Sequence, residues 1–370
     1  MEVPFVDLKA QYRRIKPEID RAVEAVFESG QFVGGKFVQQ FEYSFASLLG
    51  VDHCIGVGNG TDAIFIALKS LGVSPGDEII TPAFSWISSA ETITLAGGKP
   101  VFADILPETF TINPELLEAQ ITGRTKGVIL VHLYGQAGPA HQIKQICEKH
   151  SLFLIEDCAQ AHLSEESGTP VGTIGDAGTF SFYPTKNLGA YGDAGCIITN
   201  DEHLEKKARL FANHGGLQQH VFEGMNSRLD PLQAAMLSVK CRYLKQWTEQ
   251  RINNAKLYME LLGSLEQITL PTVRKDTKHT FHQYVVRVTQ RNELRDFLSH
   301  QGIQTMIHYP TALPNLPAFR YLNHSKEDFP VASQCQEGVL SLPIHPELSY
   351  DQIAYVCEKI KTFYKKRIKE

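Results

Sequence analysis

Between residues 11 and 29, apolar side chains recur at Ile15, Ile19, Val23 and Phe27 among charged positions, which predicts an amphipathic helix. Gly30, Gly34 and Gly35 interrupt it, and a second helix is expected over 37–49. Such a pair, ahead of any strand, is available to pack on a partner subunit. At residue 53 the pattern changes. His53-Cys54-Ile55-Gly56-Val57 reads as a buried strand, Gly58-Asn59-Gly60-Thr61-Asp62 as a glycine loop, and 63–70 as a helix. Strands and helices then alternate: strands over 78–81, 100–104, 127–133, 152–155 and 196–199, helices over 85–96, 114–121, 141–150 and 202–212. The near-continuous apolar run at 127–133 is what a parallel strand covered on both faces requires. This succession predicts an α/β fold with a mostly parallel sheet.

Beyond residue 212 comes a polar loop, 213–224, and then a long helical stretch, 231–262. The remainder reads as a smaller α+β unit. Its strands are expected near 282–288 and 304–308, and its helices near 292–301 and 350–364. At 370 residues the chain exceeds one ordinary core, so two domains are expected, 1–245 and 246–370.

Composition narrows the class only modestly. A formal charge of −5 leaves no basic footprint for nucleic acid; the tail Lys365-Lys366-Arg367 reads as a solvated helix end. Seven cysteines, scattered and without a Cys-x-x-Cys pair, argue against a disulfide framework or zinc and for a reducing, cytoplasmic setting. No histidine pair at metal-ligand spacing stands beside a carboxylate, so no metal is expected. The start Met1-Glu2-Val3-Pro4 carries no signal-peptide pattern. The longest uncharged run, between Lys126 and Lys144, is broken by glycines and Pro139 and does not read as a membrane span.

The candidate chemistry lies beyond the predicted strand ends, where α/β sheets bind ligands. Ser181-Phe182-Tyr183-Pro184-Thr185-Lys186 is a β-prone run that delivers a lysine into a glycine-rich turn. A desolvated lysine there loses its proton and becomes a nucleophile toward an aldehyde. Gly60-Thr61 opens a helix after a strand, an anion-binding arrangement that simple capping by Thr61 or Asp62 also explains. Asp157 lies just beyond the end of the strand 152–155. An amine, a strand-end carboxylate and a phosphate-type loop are the parts a pyridoxal phosphate enzyme needs, and Trp86 is an aromatic available to stack on the ring.

With these motifs in order, the chain resembles the DegT/StrS-type sugar-nucleotide aminotransferases, a branch of the fold type I pyridoxal phosphate enzymes. The resemblance spans Pro4-Phe5-Val6-Asp7-Leu8, the loop at 58–63, Glu156-Asp157-Cys158-Ala159-Gln160-Ala161-His162, the stretch 181–189, Asn226-Ser227-Arg228-Leu229-Asp230 and His308-Tyr309-Pro310. It implies a large domain with a seven-stranded-type sheet, a small C-terminal domain, and a homodimer with shared sites. By resemblance, Lys186 is the Schiff-base lysine and proton carrier, and Asp157 pairs with the pyridine nitrogen. Gln160 bonds the ring hydroxyl, and Trp86 stacks on the ring. Gly60, Thr61 and Ser181 hold the phosphate with Asn226 from the other subunit. Arg228, His308 and Tyr309 face the substrate. The implied reaction moves the amino group of L-glutamate to a nucleotide-linked keto sugar, a dTDP- or UDP-3-keto sugar above others, in amino-sugar or polysaccharide biosynthesis. Two alternatives keep the same fold: a sugar dehydratase, in which histidine replaces the lysine, and a non-catalytic regulator. Lys186 weighs against the first; the intact lysine, aspartate and loop weigh against the second.

Overall fold

The pattern of apolar runs folds as expected into a seven-stranded sheet in the computed structural model, which describes residues 1–218 and 220–367. The side chains of Lys366 and Arg367, part of the basic tail, lie outside the described residues. Helix α1 (Leu8–Ser29) starts under an Asp7 cap and ends at Gly30, whose φ of 64° suits glycine. Helix α2 (Lys36–Leu49) follows. The sheet is built from β1 (His53–Val57), β2 (Glu78–Pro82), β3 (Lys99–Ala103), β4 (Thr125–Val131) and β5 (Phe153–Asp157). Helices α3 (Gly60–Ser70), α4 (Ser88–Leu95), α5 (Pro114–Ala119) and α6 (Ala140–Lys149) connect them. Two-residue strands β6 (Glu165–Glu166) and β7 (Thr169–Pro170) precede β8 (Ala177–Ser181), β9 (Gly195–Thr199) and α7 (Glu202–Phe211).

The sheet order is β1-β9-β8-β5-β4-β2-β3. Strands β8, β5, β4, β2 and β3 run parallel, and β9 runs against both neighbours. The carboxyl ends of β1, β5 and β8 therefore open on one edge. Phe41 and Phe45 of α2 cover one face, edge-on to Phe180 and Phe182 at 5.1–5.3 Å.

The C-terminal half continues with α8 (Pro231–Cys241), α9 (Leu244–Leu262), β10 (Ile268–Thr269), β11 (Thr277–Lys278), β12 (Tyr284–Val288) and α10 (Arg291–His300). Helix α11 (Pro330–Gly338), β13 (Val339–Leu342) and α12 (Tyr350–Arg367) complete it. Strands β10-β12-β13 form an antiparallel sheet, and β11-β6-β7 a small ribbon. A separate core gathers Tyr258 and Leu262 of α9, Val286, Leu340, Ile353 and Val356, together with Val3 from the N-terminus.

Four sequence expectations are corrected. Phe27, expected on the buried stripe of α1, is 59% exposed, while Val26 is buried. The single helix over 231–262 is two helices, because Arg242 and Tyr243 turn to bond Glu18 of α1. The strand expected at 304–308 reduces to one bridge, Met306 with Ser341. The β-prone run 181–186 is not itself a strand: β8 stops at Ser181, and the chain turns back through Ala190 N–H to Phe182 O.

All seven cysteines are free thiols, six of them buried. Among the described residues no helix is long and apolar enough to cross a membrane, and no group of three His, Cys, Asp or Glu is placed to hold a metal ion.

Candidate active site

At the end of β1, Asn59 caps α3 by accepting from the Asp62 amide at 2.8 Å. Ala63 N–H is taken by Asn59 O. The amides of Gly60 and Thr61, first in the helix, have no intrahelical acceptor and point with the positive end of the helix dipole. Ser181 presses on this point. A Cβ on Gly60 would meet Ser181 Cβ at 2.6 Å, and one on Gly195 would meet Gly60 N at 2.8 Å. Only glycine lets the ends of β8 and β9 close on the helix start. Thr61 Oγ1 lies 2.8 Å from Ser88 Oγ, at the start of α4. Gly60 and Ser181 thus lie against each other, with Thr61 next in the helix: a cradle for an anion.

Asp157 ends β5, between β4 and β8, and is 7% exposed. Its Oδ1 accepts from Ala159 N–H at 3.0 Å. Burial pushes its pKa up, against the pull of that amide and of the Lys186 ammonium. Lys186 arrives on the turn after β8, where its own amide bonds Tyr183 O at 2.8 Å. Gly189 makes the turn feasible, since a Cβ there would meet Pro184 O at 2.3 Å. The residue as a whole is partly buried. Desolvation nevertheless pushes the amine down to about 8, while Asp157 raises it. Amine and carboxylate therefore feel each other across the edge of the sheet. Burial also keeps the imidazoles around Lys186 neutral, His308 at about 4 and His162 at about 3.

Gln160 is 5% exposed and oriented at both ends. Its Oε1 accepts from Tyr134 N–H at 2.7 Å, and its Nε2 donates to the Tyr309 hydroxyl at 2.9 Å. Tyr309 lies 5.7 Å from Trp86, ring to ring. Trp86 is 57% exposed, so it stands on the rim of this cleft and not in the core. His308 Nδ1 is 2.8 Å from Ser341 Oγ, and its carbonyl accepts from the Tyr134 hydroxyl.

Asn226 and Arg228 turn to other partners. Asn226 is exposed and bridges to Asn213; Arg228 donates to Asn213 Oδ1 at 2.8 Å. No hydrogen bond ties either to Lys186, Asp157 or Gly60 among the described residues. Sequence reasoning missed Tyr134 and Ser227. Tyr134 sits at φ 62° beside Gly135, a strained turn after an apolar strand that the Leu133-Tyr134-Gly135 order hints at. Ser227 had no signal beyond standing between two named residues.

The arrangement places an amine of lowered pKa, a buried acid within electrostatic reach and a free helix start along one edge of the sheet. Comparison with known proteins gives the same direction. The "Pleiotropic regulatory protein" of Geobacillus stearothermophilus is 46% identical over 99% of both chains. The dTDP-3-amino-3,6-dideoxy-alpha-D-galactopyranose transaminase of Aneurinibacillus thermoaerophilus is 41% identical over 98% of this chain and 99% of that one. The crystal structure of S. venezuelae DesV in complex with a ketimine intermediate superposes with a TM-score of 0.96, at 37% identity and 98% coverage of each chain. The family signature itself runs over residues 13–361, and on that extent the chain belongs to the DegT/DnrJ/EryC1/StrS aminotransferase family.

Proposed function

We propose that this chain transfers the amino group of L-glutamate to the ketone of a nucleotide-linked sugar, using pyridoxal 5'-phosphate. One observation carries the reading: the Lys186 amine, brought down to about 8 by burial, faces the electrostatic field of buried Asp157. The residues present fit this cofactor. Its phosphate suits the Gly60 and Thr61 amides with Ser181, its pyridine nitrogen suits Asp157, and its aldehyde suits Lys186. When bound, it supplies a carbonyl that exchanges amines and a ring that accepts electron density.

The protein's own residues do the rest. The Asp157 carboxylate would keep a proton on the ring nitrogen, since a buried charge is stable only beside its opposite. Lys186 Nζ would take the proton from the donor's α-carbon and hand it on to the cofactor; a pKa near neutrality suits both steps. Gln160, held by Tyr134 and Tyr309, would offer its remaining N–H to the ring oxygen. Trp86 would cover the ring face, and His308 and Tyr309 would line the sugar side. In a homodimer, Asn226 and Arg228 reach the site of the other subunit. Support for that dimer is the apolar face along α1, where Phe27 is 59% exposed, next to Phe32 and Val33 at 49% and 64%.

The preferred substrate is a dTDP- or UDP-linked 3-keto sugar, supported by the 3-amino sugar in the name of the Aneurinibacillus relative. The reaction belongs in the cytoplasm, in the making of surface polysaccharide, lipopolysaccharide or a glycosylated metabolite. The name of the Geobacillus relative favours a regulatory reading. Lys186, Asp157 and the intact cradle favour catalysis, because a regulator has no need of a desolvated amine beside a buried acid. The test is transfer from [15N]glutamate to dTDP- and UDP-linked 3-keto and 4-keto sugars. Label at C3 of the sugar is expected. Absence of label in every sugar, with glutamate or any other amino acid as donor, would overturn the proposal.

A further inference from the structure

The loop that forms the anion cradle is held from a second side. Ser227 is 2% exposed, and its hydroxyl is fully committed. It accepts from Gly58 N–H at 2.9 Å and donates to Asp62 Oδ2 at 2.6 Å. Its own N–H donates to Ala212 O at 3.0 Å, which fixes it to the end of α7. The approach is close enough to require glycines along β1 and its end. A Cβ on Gly58 would lie 3.2 Å from Ser227 Oγ, and one on Gly56 would meet Leu229 Cβ at 2.8 Å. One buried hydroxyl therefore spans both ends of the turn Gly58-Asn59-Gly60-Thr61-Asp62.

Asp62 gives this bond a consequence for ligands. It stands in the first turn of α3, where a carboxylate is attracted to the free helix amides. Those are the amides of Gly60 and Thr61 that an incoming phosphate needs. The Ser227 proton holds Asp62 Oδ2 to one side. Without it the carboxylate is free to compete for those amides and to repel the dianion.

We propose that Ser227 is a positioning residue for the phosphate end of the cofactor: it clamps the loop of its own chain and keeps Asp62 out of the cradle. The proposal rests on the reading of Gly60, Thr61 and Ser181 as the phosphate site. Its signature is selectivity, because the clamp touches neither Lys186 nor Asp157.

The test compares pyridoxal phosphate with pyridoxal, which lacks the phosphate, by absorbance titration of protein freed of cofactor. In Ser227→Ala, affinity for pyridoxal phosphate is expected to fall about 10-fold, the size of one lost charge-assisted hydrogen bond. Affinity for pyridoxal stays within about twofold of wild type, since the clamp acts on anions alone. A further loss is expected in the Asn226→Ala background, since Ser227 acts on the loop of its own chain and Asn226, in the dimer proposed above, on the site of the other subunit. Should Ser227→Ala not fold, Ser227→Cys, close in size and only a weak donor, gives the same comparison, with a loss confined to pyridoxal phosphate.

Unchanged affinity for pyridoxal phosphate overturns the proposal, and so does equal loss for both ligands, the mark of a merely structural role. No further loss in the Asn226→Ala background would place the effect in Asn226 and also overturn it. Failure of the underlying site reading would look different: wild-type protein itself would not prefer the phosphorylated ligand.

Discussion

Lys186→Arg should lower turnover by roughly 10^4-fold or more, since one group acts as both carrier and acid–base. The argument starts from the amine's environment. With the pKa brought down to about 8, roughly 300 times more neutral amine is present near neutrality than for an ordinary lysine at 10.5. Arginine keeps the positive charge and the length but never supplies a neutral amine. Lys186→Arg should therefore stay folded, since it keeps the cation that faces Asp157. It should bind cofactor through the phosphate cradle and resist covalent attachment. Borohydride should tie the cofactor to the Lys186 peptide in wild type and nowhere in the variant, as read by mass spectrometry. The sign of the pH effect follows. Lowering the lysine pKa favours the neutral form in the folded protein, so covalent capture by cofactor-free enzyme should rise with pH through about 8, not 10.5. Retained turnover in Lys186→Arg would remove the lysine from the mechanism.

The second large effect is expected at Asp157. Asp157→Asn preserves the shape and the hydrogen bond from Ala159 N–H, so the end of β5 keeps its geometry. What disappears is the buried charge. Turnover should fall about 10^2- to 10^3-fold, as for loss of one preorganised electrostatic group. On the proposed site, cofactor should remain bound through Gly60, Thr61, Ser181 and Lys186. The same change removes the charge that raises the Lys186 pKa, so the capture profile of cofactor-free enzyme shifts to lower pH. Near-normal rates with an unmoved profile would show that the carboxylate does not act on the ring.

The parts of the fold that were legible share a cause. Thr125–Val131 and Phe153–Asp157 are buried on both faces by helices, so they appear as apolar runs whatever their neighbours. What escaped depends on long-range contacts. The break between α8 and α9 has neither glycine nor proline; it is made by Glu18, more than two hundred residues away. The stretch 304–308 has strand-like alternation, yet the ties of His308 to Ser341 and to the Tyr134 hydroxyl hold the chain in an irregular path toward Pro310. Strand β13, four residues long after a short helix, is too brief to announce itself. The site divides in the same way. Gly60, Asp157, Ser181 and Lys186 stand at strand ends beside glycine loops, where sheet topology alone gathers them. Tyr134 and Ser227 act through single hydrogen bonds to Gln160 and to Gly58 and Asp62, and nothing local marks those pairings. Asn226 and Arg228 bond Asn213 and neither Lys186 nor Asp157, and nothing local marks that choice of partner.

The most direct measurement is the absorbance spectrum of purified protein supplied with pyridoxal phosphate, before and after L-glutamate. The account predicts a yellow band that glutamate converts to the colourless amine form of the cofactor, and that a nucleotide-linked keto sugar restores. A protein that develops no band even with added cofactor would contradict the central claim that Lys186 and Asp157 form an aminotransferase site.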